Sequence, residues 1–385
     1  MSSQATVRIV CNRYVFLLLS IICSIRRLAA QCFRKLFHLR KTVLIMKYDG
    51  LGDMIIWLPY AVSIREHYPS EKYHILMCCL PQNREFIEKF HVADSIICFP
   101  CYKNKYQWLL LKILFFCRYH FDIVINAACP RDVLPYHPEK SCTTLYFAAW
   151  SAFDQRYNYF DKLIYADDKS IYERYDAILE YLDIPYPPIN KSPVICSEDF
   201  PMMTVKNYIV ICAGASTLQR CWEEEKFIDL IDRLIVMTEK TVVLVGMKSE
   251  YKKNEKIRTS CKHHSKIINL AGKTSVMELF SVVQKGSFLI SNDTGTAHVA
   301  GVVGTLSFVI CGGQDYGAFF PYPSEVEGKR IFSIFCKDQR CFQCRFTNSK
   351  CNMRTPYPCI SAISVEQVFS TISEVLKIPE QKALL

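Results

Sequence analysis

The stretch SFLISNDTGTAHVAGVVGTLSFVICG (287–312) reads as strand, turn, helix, strand. SFLISND (287–293) is a short apolar run with β-branched character, GTAHVAGVVG (295–304) is helical, and TLSFVICG (305–312) is a second apolar strand. Such alternation of buried apolar strands with helices is the signature of a parallel, doubly wound sheet. The same rhythm extends outward. Upstream lie strands at 207–214, 240–246 and 266–272 and helices at 222–237, 251–261 and 275–286, the last ending at a glycine, as helix ends favour. A final helix is predicted at 364–377.

The first half repeats the plan. TVLIMKY (42–48) is a β-branched apolar strand, followed by a helix from Gly52 to about Tyr68 that ends before Pro69. Strands at 73–80, 95–100 and 121–128 follow, with helices at 83–90 and 106–119 between them. The proline-rich DIPYPPINKSP, within 183–206, breaks the rhythm and reads as a linker. The expectation is an α/β chain of two Rossmann-like, doubly wound domains, residues 41–195 and 196–385, facing a central cleft, with a separate arm at 1–40. Ligands in such sheets bind beyond the carboxyl ends of the strands.

Charge separates the arm from the body. The 385 residues carry 47 basic and 37 acidic side chains, a net of +10. Residues 1–48 hold nine of the basic ones and no acid, so the remainder carries 38 against 37, a net of +1. That distribution excludes a nucleic-acid groove and suits an anionic membrane surface. The apolar run Tyr14–Ile25 has twelve residues, short of the roughly 20 that a membrane span requires. Arg26 and Arg27 follow at once, and the next segment stays basic and amphipathic. An interfacial helix is the preferred reading. A helix packed on the domain and a signal or short anchor are the alternatives. The twenty cysteines are irregularly spaced and mostly embedded in apolar runs, such as Cys78, Cys79 and Cys212. They read as small hydrophobes in a reducing, cytoplasmic setting.

Three turns carry polar chemistry. KYDGLGDMIIWLPY (47–60) places Gly50 and Gly52 between a strand and a helix, with Asp53 in the first helical turn. Glycines there allow close backbone approach. A carboxylate there suits a general base on a hydroxyl, or simply a favourable first-turn acid. SNDTGTAHVAGVVGT (291–305) offers Asp293, Thr294 and Gly295 at a helix start, with His298 one turn in; this is an anion pocket or an ordinary capped helix. CAGASTLQRCWEEEKF (212–227) supplies Gly214, Ser216 and Thr217 and then Arg220, whose guanidinium fits a phosphate.

Taken together, G-x-G-D, G-A-S-…-R-x-W and S-N-D-T-G-x-x-H, in that order, resemble glycosyltransferase family 9, the ADP-heptose:lipopolysaccharide heptosyltransferases, over roughly residues 42–375. The last motif is the most specific. The resemblance implies an inverting, metal-independent transfer of a sugar, heptose from ADP-heptose by family default, to a lipopolysaccharide-core or related lipid-linked surface glycan. It implies no cofactor, and a peripheral enzyme on the cytoplasmic face of the inner membrane. By position, Asp53 matches the family's catalytic base and Arg220 its diphosphate-neutralising cation. Asp293, Thr294, Gly295 and His298 match the diphosphate turn. Ser216 and Thr217, on the turn opened by Gly214, match polar donor contacts, and Glu250 a ribose-holding acid. Asn126 departs from the acid often found at that position in relatives, which puts acceptor identity in doubt, and the arm is longer than in the standard enzymes.

No D-x-D metal motif is present; ADDKS (166–170) has adjacent acids only and reads as a surface loop. Cys341, Cys344, Cys351 and Cys359 form a C-x2-C-x6-C-x7-C cluster that fits structural zinc, a disulfide or redox pair, or unligated thiols. A catalytically inactive family member serving as a binding or scaffold subunit is the alternative function, and retention of Asp53, Arg220 and His298 weighs against it. The missing G-x-G-x-x-G weighs against a dinucleotide oxidoreductase. Deletion of residues 1–40 is expected to abolish cosedimentation with anionic vesicles while sparing activity on a soluble acceptor analogue; undiminished cosedimentation would contradict the anchor.

Overall fold

The structure is a computed structural model that describes residues 40–98, 121–127, 143–148, 162–165, 170–185, 205–322, 330–339, 342–344, 351 and 355–377. The arm up to residue 39, the expected helix at 106–119, most of ADDKS, most of the linker and Cys341 lie outside the described residues. Among the described residues no helix is long and apolar enough to cross a membrane.

The chain separates into two compact units, Met1–Gly50 with Trp57–Pro187, and Leu51–Ile56 with Pro188–Leu385. In the first, β1 (Lys41–Lys47) leads into α1 (Leu51–His67), then β2 (Tyr73–Cys79), α2 (Arg84–Lys89), β3 (Ser95–Cys98), β4 (Ile123–Asn126), β5 (Thr143–Ala148), β6 (Lys162–Tyr165) and α3 (Ile171–Tyr181). The sheet order is β3-β2-β1-β4-β5-β6, all parallel. β5 and β6 were not anticipated. β5 pairs in register with β4 (Ile123 with Thr143) and β6 with β5 (Leu145 with Lys162), so tertiary pairing rather than a strong local pattern defines them.

The second unit repeats this order. It contains β7 (Tyr208–Cys212), α4 (Glu224–Thr238), β8 (Thr241–Leu244), α5 (Tyr251–Ser260), β9 (Ile267–Asn269), α6 (Val276–Lys285), β10 (Phe288–Asn292), α7 (Gly295–Val303), β11 (Ser307–Ile310), β12 (Ile331–Ile334), α8 (Pro358–Ser361) and α9 (Val365–Leu376). Its parallel sheet runs β12-β11-β10-β7-β8-β9. Two Rossmann-like sheets are therefore present, as expected. The strand order of each reverses beside its first strand, β1 next to β4 and β7 next to β10. That switch point is where an open parallel sheet leaves room for a ligand beyond the strand ends. The three polar turns identified in the sequence follow β1, β7 and β10.

Burial explains why these runs form strands. Val43 to Met46, Ile209 to Ile211 and Phe288 to Ile290 are all 0–1% exposed, so both faces of each strand are covered and the runs are continuously apolar rather than alternating. Lys47, only 1% exposed, is tolerated at the end of β1 because its ammonium pairs with Asp49 and donates to the Tyr175 hydroxyl at 2.6 Å. In the second unit Trp222 is buried against Phe227, edge-on at 5.1 Å, and its indole N–H donates to the Ile363 carbonyl at 2.9 Å. Trp222→Ala should therefore cost about 3–5 kcal/mol in chemical unfolding; a loss below about 1 kcal/mol would show that the packing around it is not rigid.

Candidate functional site

The second unit gathers most of the site. β10 ends at Asn292, whose carboxamide is fully buried. Its Nδ2 donates to the carbonyls of Ala213 (2.9 Å) and Gly214 (3.1 Å), and its Oδ1 accepts from the Trp222 backbone N–H at 3.1 Å. One side chain thus ties the end of β10 to both sides of the turn after β7. Asn292 stood inside the quoted motif, but sequence reasoning gave it no role. The signal was available: a polar residue closing a wholly apolar strand needs buried partners.

The turn from β10 into α7 sets hydroxyl groups beside a helix start. Ser291 Oγ donates to the Asn292 carbonyl (2.6 Å) and lies 3.1 Å from Thr294 Oγ1. Thr294 is the extended N-cap residue of α7, yet its side chain makes no capping bond to the helix. The first turn, Gly295 to His298, carries no acid. Backbone N–H groups at a helix start without a side-chain cap, at the positive end of the dipole, attract negative charge. Asp293, buried at 7% exposure, precedes them and donates its N–H to the Ile310 carbonyl at 3.1 Å.

Glu250 joins this cluster more tightly than its spacing suggested. Its Oε2 accepts from the Met247 N–H at 2.7 Å. A Cβ at Gly214 would overlap Glu250 Oε1, and one at Gly246 would lie 2.6 Å from Oε2. Gly246 also has φ +155, where side chains are disfavoured. Both glycines are thus explained by one carboxylate lying across the ends of β7 and β8. A carboxylate held by a single backbone N–H keeps acceptor capacity for hydroxyl groups. Lys253 Nζ donates to the Ala213 carbonyl at 3.1 Å on the same turn. Ser216 and Thr217 are exposed on the loop that follows, and Arg220, half-buried, closes its short 3-10 turn (Leu218–Arg220).

Gly52 belongs to this same unit. A Cβ there would stand 2.8 Å from His298 Cδ2 and 3.2 Å from Gly295 Cα. Asp53 is the next residue, half-buried in the first turn of α1, whose N-cap, Gly50, has no side chain. The start of α1 therefore rests on the start of α7.

His298 lies in the first turn of α7. It is 4% exposed, stacks on Phe320 (centroids 4.9 Å, 10° between planes), and its Nδ1 lies 2.5 Å from the Tyr322 hydroxyl. Burial pushes its pKa down to about 3, so the ring is neutral at physiological pH. Neither Phe320 nor Tyr322 was identified from the sequence, since no spacing rule links residue 298 to residue 322.

The cysteine cluster does not assemble among the described residues. Cys344 and Cys351 are half-buried, while Cys359 is buried and donates its thiol to Gln314 Oε1 at 3.1 Å. No group of three or more His, Cys, Asp or Glu side chains among the described residues is arranged to hold a metal ion.

The depressed His298 pKa has a consequence for stability. Between pH 6.5, its ordinary value, and about 3 the unfolded chain binds a proton that the folded chain refuses, so this residue lowers stability as pH falls through that window. His298→Gln should flatten the fall of unfolding free energy between pH 6.5 and 4. An identical slope in the two proteins would refute a neutral buried ring.

Residues 169–349 match glycosyltransferase family 9 (heptosyltransferase). A curated relative, lipopolysaccharide heptosyltransferase 3 of Escherichia coli, is 25% identical over 152 residues, 39% of this chain and 44% of the relative. That match spans less than half of the relative's length. The glycosyl transferase family 9 structure from Veillonella parvula DSM 2008 superposes with a TM-score of 0.64 at 17% identity, covering 90% of this chain and 98% of that one. E. coli heptosyltransferase WaaC with ADP-2-deoxy-2-fluoro heptose gives 0.60 at 15% identity, covering 87% of this chain and 99% of that one. The superposed structures share the two-sheet α/β fold, and residues 169–349, just under half of the chain, are similar to glycosyltransferase family 9.

Proposed function

We propose that this protein is an inverting glycosyltransferase that moves a sugar from a nucleotide-diphospho-sugar to a hydroxyl of a lipopolysaccharide-core or related lipid-linked glycan. Heptose from ADP-heptose is the donor that the relatives' names support. In this reading the nucleotide occupies the ends of β7, β8 and β10. Glu250 accepts hydrogen bonds from ribose hydroxyls. The diphosphate lies at the start of α7, beside Thr294 and Gly295, with Arg220 supplying a fixed positive charge and Ser216 and Thr217 further polar contacts.

The reaction follows from those positions. The Asp53 carboxylate takes the proton of the acceptor hydroxyl as that oxygen attacks the anomeric carbon. The bond from that carbon to the diphosphate breaks on the opposite face, inverting the configuration. Negative charge grows on the departing diphosphate, and helix N–H groups and a guanidinium already aimed at it stabilise that charge without reorganising. This set of donors supplies the compensation without calling for a metal ion at the diphosphate. The basic arm at 1–40 would hold the enzyme at an anionic membrane surface on the cytoplasmic side, near a lipid-linked acceptor.

The observation that carries the reading is the packing of Gly52 against Gly295 and His298, which brings the residue next to Asp53 up to the anion-binding helix start. Asp53→Asn keeps the size of the side chain and removes its basicity. It should lower transfer by about 10²–10⁴-fold while nucleotide-sugar binding, measured by calorimetry, stays near wild type. Wild-type turnover in this variant would refute the assignment of Asp53 as the base.

A further inference from the structure

His298 enters the site through a second residue that no sequence motif contains. Tyr322 is buried at 6% exposure, and its hydroxyl sits 2.5 Å from His298 Nδ1. Phe320, 1% exposed, stacks on both rings, at 4.9 Å and 10° from His298 and 4.9 Å and 7° from Tyr322. The imidazole plane is therefore clamped, and only its protonation pattern remains to be set. A neutral imidazole has one N–H and one lone pair, and the partner of one nitrogen decides which is which. A phenol is a far stronger acid than a neutral imidazole N–H, and an imidazole lone pair a far stronger base than a phenol oxygen. The favoured arrangement is thus Tyr322 O–H donating to Nδ1, with the ring proton on Nε2. The Nε2 edge is the one that matters, because Cδ2, the carbon bonded to Nε2, is the ring atom that lies against Gly52 beside Gly295.

We propose that Tyr322 is a positioning residue that holds His298 in the Nε2–H tautomer, making the ring a neutral hydrogen-bond donor to a phosphate oxygen of the nucleotide-diphospho-sugar. This rests on the proposed donor site at the start of α7. A neutral donor here adds to the helix N–H groups without importing a buried charge, which would carry a large desolvation cost. The depressed pKa of the ring keeps it neutral at physiological pH.

The test uses the full-length protein with ¹⁵N-labelled histidines, the signals of His298 being identified by their loss in His298→Gln. Without ligand at pH 7, Nδ1 should appear as an unprotonated ring nitrogen and Nε2 as an N–H. In Tyr322→Phe, which keeps the aromatic ring, the two nitrogens should move to the averaged values of mixed tautomers. ADP affinity should fall about fivefold in Tyr322→Phe, the worth of one hydrogen bond. It should fall at least as far in His298→Gln, and the double variant should be no weaker than His298→Gln alone. A proton on Nδ1 in the wild type, or an unmoved tautomer in Tyr322→Phe, would overturn the proposal irrespective of nucleotide binding. The expected tautomer with unchanged ADP affinity in His298→Gln would instead overturn the donor-site reading on which the phosphate role depends.

Discussion

Any side chain at residue 52 would press on His298 Cδ2 at 2.8 Å and on the Gly295 backbone at 3.2 Å, and the site depends on the close approach that a glycine permits there. Alanine is ordinarily the better helix former, by roughly 1 kcal/mol. At this position that advantage is outweighed, because the nearer neighbour is a clamped ring and the other is backbone, neither able to give way cheaply. Two helix starts are thereby brought together, one carrying Asp53 and the other carrying N–H groups without a side-chain cap. In the proposed reaction the first would offer a base and the second a place for developing negative charge.

The remaining parts keep that arrangement rigid. Asn292 binds the end of β10 to the turn after β7 through three hydrogen bonds made in full burial. In that environment an unmade bond costs about 1–3 kcal/mol, so the geometry is strongly selected. The Glu250 carboxylate fills the space that side chains at Gly214 and Gly246 would occupy. Phe320 and Tyr322 fix the His298 ring. The groups around the start of α7 are therefore fixed in the structure, which is what the proposed electrostatic stabilisation of a leaving group would require.

Much of this was legible in the sequence, for a physical reason. Strands such as β1, β7 and β10 are buried on both faces of a parallel sheet, so each leaves an unbroken apolar run followed by glycine and polar residues. The turns after them were recognisable because the carboxyl ends of the strands are where such sheets bind ligands. What escaped was non-local. β5, β6 and β12 are short strands defined by pairing with β4, β5 and β11 in turn. The position of Glu250 against Gly214 comes from the parallel pairing of β7 with β8, and the Tyr322 clamp on His298 from a return of the chain 24 residues later. The burial of the His298 ring was likewise not legible. A helix start reveals that donors are present, not how deeply the neighbouring side chains are packed.

The most direct measurement is a crystal structure of the full chain with ADP bound. The account expects the diphosphate within hydrogen-bonding distance of the Gly295–His298 turn, with the Arg220 guanidinium on a phosphate oxygen and the ribose hydroxyls on the Glu250 carboxylate. Nucleotide bound elsewhere, with the start of α7 and Glu250 untouched, would contradict it.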